Sequence, residues 1–121
     1  MTDRTLTAVT GPHPSGAVVL AVRGELDHHT APELTRIVQE MSFDARTPVI
    51  IDLTDLSYCD STGITVLVTA YKRAQASQAR LTLAGLNPDL TRVFTIVGLD
   101  QVFTFSPTVE AAVESLRTPA E

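Results

Sequence analysis

The stretch IDLTDLSYCDSTGITVLVTAYKRA, residues 51–74, decides the fold because it joins an apolar strand-like segment to a segment with helical periodicity. Val49, Ile50 and Ile51 lead into it as consecutive apolar residues, which indicates a strand buried on both faces. The apolar residues after its centre recur at i, i+3, i+4 and i+7, as on one face of a helix: Ile64, Leu67, Val68 and Tyr71. A buried strand followed by an amphipathic helix is typical of an α/β sheet.

The segments before this stretch extend the same pattern towards the N-terminus. TLTAV (5–9) and AVVLAVRG (17–24) predict two strands, and the turn-forming residues between them predict an antiparallel hairpin. ELDHHTAPELTRIVQEMS (25–42) predicts the first helix, in which Thr30 and Glu33 have the spacing of a capping box. We therefore expect this helix to begin beside Thr30.

Two further strands and two further helices complete the predicted order. ARLTLAGL (79–86) and QVFTF (101–105) predict strands, and Asn87 followed by Pro88 predicts a helix start. The predicted inner face of that helix comprises Leu90, Val93, Phe94 and Val97. A last helix is predicted after residue 107, and its inner face comprises Val109, Ala112, Val113 and Leu116.

The resulting order, ββαβαβαβα, predicts an α/β fold with one mixed sheet. An antiparallel hairpin stands at its N-terminal end, the later strands pair in parallel, and amphipathic helices cover the sheet. A length of 121 residues suits one domain, residues 1–121. We expect about residues 4–117 to be ordered and the ends, residues 1–3 and 118–121, to be frayed.

The composition argues against several classes of function. The net charge of −5 disfavours nucleic acid as a partner, because such binding depends on Lys and Arg side chains that neutralise phosphates. No apolar stretch approaches the ~20 residues that a membrane helix needs. The first residues, MTDRTLTAV, have no apolar signal-peptide core. The sequence therefore predicts a cytoplasmic protein with neither nucleic acid nor a membrane as a partner.

The four residues Asp60-Ser61-Thr62-Gly63 stand where the strand passes into the helix, and their chemistry admits two interpretations. In the structural one, Asp60 or Ser61 caps the helix and Gly63 permits close packing. In the functional one, Ser61 is phosphorylated at the positive end of a helix, where a phosphate is electrostatically favoured. The phosphate would present about −1.5 to −2 charge on the surface without unfolding the helix. The spacing alone does not decide between the two.

Three segments resemble the STAS-domain anti-anti-sigma factors, which are anti-sigma factor antagonists of the sporulation and stress-response type. They are GELDHHTAPEL (24–34), residues 51–74, and VFTIVGLDQVF (93–103). The second contains the family's D-S-S/T-G phosphorylation motif, with its first Ser at Ser61. The order of elements also agrees along nearly the whole chain. The resemblance therefore implies a single STAS domain.

The resemblance implies a phosphoprotein that binds other proteins and has no catalysis and no cofactor of its own. In the family, the anti-sigma factor is a serine kinase that uses ATP and phosphorylates the position that is Ser61 here. The unphosphorylated antagonist binds this kinase and frees a sigma factor; phosphorylation releases the antagonist, and a PP2C-type phosphatase restores it. The residues expected to contact partners are Asp27, His28, His29, Asp60, Thr62, Gly63 and Thr65.

The sequence departs from the family pattern at two positions of the second helix. Ile64 and Thr65 stand where the family often has Leu and a small Gly, so the choice of kinase is left open. Thr62 offers a second hydroxyl, which we favour less than Ser61 as the phosphorylation site. The alternative hypothesis is a STAS scaffold that is not switched and is a permanent subunit of a larger assembly, such as a transport complex.

Other reactive side chains support weaker hypotheses. His28-His29 has no further His, Cys or carboxylate at ligand spacing, so no metal site is predicted. Cys59 is expected to be a small buried residue at a strand end rather than a redox sensor. Ser61 as a hydrolase nucleophile lacks a G-x-S-x-G elbow and a nearby base. A phospho-aspartate receiver would need an acidic pair after the first strand and a Lys after the last, and the sequence has neither.

Overall fold

The computed structural model describes residues 5–117, which form one mixed sheet with helices on both of its faces. The strands are β1 (Leu6–Pro12), β2 (Val18–Leu26), β3 (Val49–Asp52), β4 (Leu56–Cys59), β5 (Leu81–Ala84) and β6 (Thr104–Ser106). The helices are α1 (Ala31–Glu40), α2 (Ser61–Ala76), α3 (Pro88–Ile96) and α4 (Val109–Arg117), and a 3-10 turn (Leu99–Gln101) follows α3. None of these helices is long and apolar enough to cross a membrane. The predicted fraying at 1–3 and 118–121 lies outside the described residues.

The strand pairing confirms the predicted α/β class and its N-terminal hairpin. The sheet order is β1-β2-β3-β5-β6, and β4 pairs with β2. Strands β1 and β2 are antiparallel, from Leu6 opposite Gly24 to Pro12 opposite Val18. The other pairs of the described sheet are parallel. Parallel strands bring their carboxyl ends to one edge of the sheet, which is where binding groups gather in such folds.

Strand β4 is missing from the predicted order ββαβαβαβα, and this is the main correction to the fold. Its four residues, Leu56–Cys59, pair in parallel with the end of β2. The residues at its two ends are buried, whereas Ser57 and Tyr58 between them are exposed. The segment therefore lacks the alternation by which a sequence indicates a strand. Its pairing depends on the position of β2 in the folded sheet, which no local pattern contains.

The consecutive apolar residues of β3 face opposite sides of the sheet, as predicted. Val49 and Ile51 belong to the larger core cluster, to which α1, α2 and α3 contribute. Ile50 points to the other face and packs in a second cluster with Ala112 and Val113 of α4. Since successive side chains of a strand alternate between faces, burial of all three requires a helical layer on each side.

Helix α3 begins as predicted but buries a narrower face. The Asn87 side chain accepts a hydrogen bond from Leu90 N at 2.8 Å and caps the helix. Leu90 and Phe94 are buried, whereas Val93 and Val97 are 41% and 56% exposed, so the prediction that both valines face inward is wrong. Only Leu90 and Phe94, four residues apart on one face of this short helix, pack against the core, and the two valines lie beside that face.

Candidate functional site

Asp27 and Asp60 follow the ends of two neighbouring parallel strands. Leu26 pairs with Cys59 in the register of β2 and β4, so the residues that come next are neighbours as well. A backbone hydrogen bond from Asp60 N to Leu26 O, at 3.0 Å, continues the pairing beyond the strands. After β2 the chain continues through Asp27 into α1, and after β4 it continues through Asp60 into α2. The fold thus brings the two predicted acidic positions to one edge of the sheet.

The Asp60 carboxylate caps α2 and binds the neighbouring loop at the same time. Its Oδ1 accepts a hydrogen bond from Gly63 N at 3.0 Å, which is the usual N-cap contact. Its Oδ2 accepts a hydrogen bond from His28 N at 3.2 Å. One side chain therefore connects the start of α2 with the loop between β2 and α1.

The Asp27 carboxylate orders that loop from the inside. Asp27 is buried, and its Oδ1 accepts hydrogen bonds from His29 N and Thr30 N, both at 2.9 Å. The Thr30 hydroxyl donates to Glu25 O at 2.7 Å and accepts a hydrogen bond from Asp27 N at 3.0 Å. The Thr30 side chain therefore makes no capping bond to α1, and the predicted capping box with Glu33 is wrong. The Thr30 hydroxyl bonds the backbone of the loop instead of the backbone of α1.

Ser61 is the first residue of α2, and it is exposed. Because Asp60 supplies the cap, the helix start does not need the Ser61 hydroxyl. Within residues 5–117, no hydrogen bond of the Ser61 side chain is present. The structural interpretation of this junction therefore applies to Asp60, and the hydroxyl of Ser61 is left open to solvent and to other proteins.

Gly63 lets the first turn of α2 approach the strand ends closely. A Cβ atom at this position would lie 2.6 Å from Leu26 Cγ and 2.9 Å from Cys59 Sγ. Real Cβ atoms do not approach other atoms to these distances, so any larger residue would push α2 away from β2 and β4. The predicted close packing at Gly63 is therefore present.

The remaining predicted site residues divide by exposure. The exposed ones are His28, His29, Ser61, Thr62 and Thr65, Asp60 is half-buried, and Asp27 and Gly63 are buried. The two buried residues present no open side chain at the surface, so we assign them to shaping the site. A partner that docks here meets the five exposed residues and the rim of the Asp60 carboxylate.

Cys59 is buried beneath this surface, as predicted. Burial, and secondarily the nearby charge of Asp60, raises the pKa of the Cys59 thiol to about 12. The thiol is therefore protonated at neutral pH, and a protonated thiol is a poor nucleophile. The residue fills space between β4 and α2 and does not have the properties of a redox sensor.

A groove of about 490 Å³ between α1 and α2 adjoins the exposed end of α2. Helix α2 contributes Thr62, Thr65 and Thr69 to its wall, and α1 contributes Thr35, Arg36 and Gln39. The sequence did not predict this groove. The sequence does contain a pattern for the α2 wall, because its three threonines recur at i, i+3 and i+7 on one helical face. The other wall depends on how α1 packs against α2.

The comparisons with known proteins agree with this geometry. The family model for the STAS domain matches residues 8–112 of the sequence. An anti-sigma-B factor antagonist of Listeria monocytogenes is 40% identical over 81 residues, which are 67% of this chain and 71% of that protein. The chain belongs to the STAS domain family. These matches confirm the resemblance to anti-sigma factor antagonists that the sequence motifs indicated.

Solved structures extend the likeness over nearly the whole chain. An anti-sigma factor antagonist from Mycobacterium paratuberculosis has a TM-score of 0.83 and 26% identity, and the match covers 94% of this chain and 96% of that one. The Bacillus cell fate determinant SpoIIAA in its phosphorylated form has a TM-score of 0.69 and 24% identity, and the match covers 92% of this chain and 100% of that one. The second likeness shows the fold alone.

Proposed function

We propose that this protein is an anti-sigma factor antagonist that is switched by phosphorylation of Ser61. In the unphosphorylated state it binds an anti-sigma factor that is a serine kinase, and a sigma factor is freed. Phosphorylation releases it, and a PP2C-type phosphatase restores it. The protein acts in the cytoplasm as a kinase substrate and binding module without catalysis of its own. The observation that carries the proposal is that Ser61 is exposed at the first position of α2 while Asp60 provides the cap.

The position of Ser61 suits a residue that is modified and restored repeatedly. A kinase needs an accessible hydroxyl, and Ser61 is exposed. Modification of this hydroxyl breaks no hydrogen bond of the helix cap, since Asp60 makes that bond. The backbone N–H groups at the start of α2 and its partial positive charge favour a phosphate there. The phosphorylated Bacillus protein supports the compatibility of this fold with phosphorylation.

The electrostatic effect of a phosphate is large enough to release a partner. The group adds about −1.5 to −2 charge, of which the helix start offsets only roughly half a charge. It stands directly after Asp60, which already carries a carboxylate. Like charges brought together at an interface cost several kcal/mol, and each ~1.4 kcal/mol changes the affinity tenfold. A partner surface that fits a neutral hydroxyl beside one carboxylate therefore rejects the phosphorylated form.

The test compares four forms of the protein in binding to a purified serine-kinase anti-sigma factor of the source organism. The forms are wild type, Ser61→Ala, Ser61→Asp and Gln75→Glu. Gln75 lies near the other end of α2, about 21 Å from Ser61 along the helix, so its variant adds one charge far from the site. We expect wild type, Ser61→Ala and Gln75→Glu to bind equally and Ser61→Asp to bind about 100-fold more weakly or not at all.

The same proteins are then incubated with the kinase and ATP. Phosphate should enter wild type and Gln75→Glu but not Ser61→Ala, and mass spectrometry locates it. Equal affinity of all four forms, with no phosphate at Ser61, would contradict the switch. That result is the one that a STAS scaffold without a switch predicts.

A further inference from the structure

We propose that the groove between α1 and α2 is the second part of the partner-binding surface and receives an uncharged, apolar segment of the anti-sigma factor. The inference rests on the proposed function and adds to it where the partner lies and what chemistry it presents.

Two of the three threonines in the wall that α2 contributes present their methyl groups rather than their hydroxyls to the groove. The Thr65 hydroxyl donates to Ser61 O at 2.9 Å, and the Thr69 hydroxyl donates to Thr65 O at 3.0 Å. Both hydroxyls are thus bonded within the helix, and their methyl groups are left to contact a partner. Ala31 and Val66 are buried and lie at the base of the groove, so no polar side chain stands there. Such a surface gains from contact with apolar side chains.

The arginine that lines the groove is already paired with carboxylates. Arg36 is the one Arg or Lys among the described residues that line it. Its guanidinium makes ion pairs with Glu33 and with Glu40 on the same helix, the latter at 3.1 Å. An acidic or phosphorylated segment would therefore have to compete with two carboxylates for the same side chain. An uncharged segment meets no such competition and fits the groove better.

The groove is continuous with the surface around Ser61. Thr62 follows Ser61 in α2, and His28 is bonded through its N–H to Asp60; both residues line the groove. A stable interface buries about 800 Å² on each partner and involves about 20–30 residues a side. The five exposed residues at the start of α2 and in the adjoining loop are far fewer, so the interface has to extend. Among the described residues, this groove is a concave surface that shares His28, Thr62 and Thr65 with the site.

A competing surface lies at the end of α3, where Val93, Ile96 and the C-cap residue Val97 are exposed. None of these three residues lines the groove, and α3 belongs to a different strand connection. The test therefore has to distinguish the two surfaces. It uses one substitution in the groove and one on α3, chosen so that the local helix geometry is the same.

The test substitution is Thr69→Arg, and its matched control is Thr95→Arg. Thr69 lies about 12 Å along α2 from Ser61, so an arginine there fills the groove without touching the phosphorylation site. Thr95 is an exposed threonine on α3 whose hydroxyl donates to Thr91 O at 2.9 Å, the same bond that Thr69 makes to Thr65. Calorimetric titration with the purified anti-sigma factor kinase measures the Kd, and thermal melting by circular dichroism verifies the fold.

We expect Thr69→Arg to raise the Kd about tenfold or more, because a buried unpaired charge is costly, and Thr95→Arg to leave it unchanged. Gln39→Arg, on the α1 wall, repeats the test if Thr69→Arg melts early. Ser61→Asp is titrated in parallel. If Ser61→Asp loses binding while both groove variants bind as wild type does, the groove is not the surface and the proposed function stands. Weakening by Thr95→Arg alone assigns the surface to α3, and failure of wild type to bind overturns both proposals.

Discussion

Asp60 accepts hydrogen bonds from the backbone N–H of both His28 and Gly63, so one carboxylate joins the loop after β2 to the first turn of α2. These two elements flank Ser61. Asp27 fixes the same loop from its buried side through His29 N and Thr30 N. The surface that a partner meets around Ser61 is therefore held by two carboxylates, one buried and one half-buried.

The Asp60 bridge predicts different effects for two substitutions. Asp60→Ala removes both contacts and should lower the free energy of unfolding by about 1 kcal/mol, as expected for a lost N-cap. Asp60→Asn keeps one acceptor oxygen, which the N-cap position directs to Gly63 N, and loses the contact to His28 N. Hydrogen exchange should then accelerate at the His28 amide in both variants and at the Gly63 amide in the Ala variant alone.

Thr108→Ala is the control for loss of a helix cap elsewhere. The Thr108 hydroxyl accepts a hydrogen bond from Ala111 N at 2.9 Å near the start of α4. Its removal should cost a similar stability and leave exchange at His28 unchanged. Unchanged exchange at His28 in Asp60→Asn would show that the bridge does not hold the loop.

Gly63 predicts a steric effect that separates α2 from the strands. In Gly63→Ala, the new methyl group would meet Leu26 and Cys59 at less than van der Waals distance, so stability should fall by about 1–3 kcal/mol. Gly11→Ala is the matched control, because a Cβ at Gly11 has no atom within 4 Å. Urea denaturation of the two variants measures the difference. Equal stability would mean that α2 shifts at no cost.

Cys59 predicts slow thiol chemistry in the folded protein. Because burial raises the pKa of this thiol to about 12, reaction with iodoacetamide at pH 8 should be at least about 100-fold slower than in the urea-unfolded chain. Cys59 is the single cysteine, so the labelling reports on it alone. Rapid labelling of the folded protein would contradict the buried, protonated thiol.

The same raised pKa predicts how stability depends on pH. Between about pH 9 and pH 12 the folded state keeps the thiol proton that the unfolded chain has lost, so this group lowers the free energy of unfolding as the pH rises. The slope from one group approaches about 1.4 kcal/mol per pH unit and is absent below pH 9. Cys59→Ala should therefore lose stability less steeply than wild type above pH 9, measured by urea denaturation at several pH values.

The sequence predicted the features that depend on neighbours along the chain and missed those that depend on neighbours in space. Helix α2 follows from the periodicity of its apolar residues, and Asn87 caps α3 through a contact three residues away. By contrast, Thr30 has the spacing of a capping box, but its hydroxyl is hydrogen-bonded to Asp27 N and Glu25 O and not to the helix. Strand β4 likewise exists only because β2 lies beside it. The groove needs two helices whose relative position no motif encodes.

Ser61→Asp predicts a change in binding with almost no change in stability. The side chain is exposed, and an acid at the start of a helix gains about 0.3–1 kcal/mol from the helix dipole, which repulsion from Asp60 partly offsets. We expect the free energy of unfolding to stay within about 0.5 kcal/mol of wild type. Ser61→Lys is the control of opposite charge and should be the less stable of the two, with a gap that narrows as salt is added. A loss of more than about 1 kcal/mol in Ser61→Asp would make Ser61 a structural residue. The weaker binding of that variant would then report unfolding of the helix start rather than a switch.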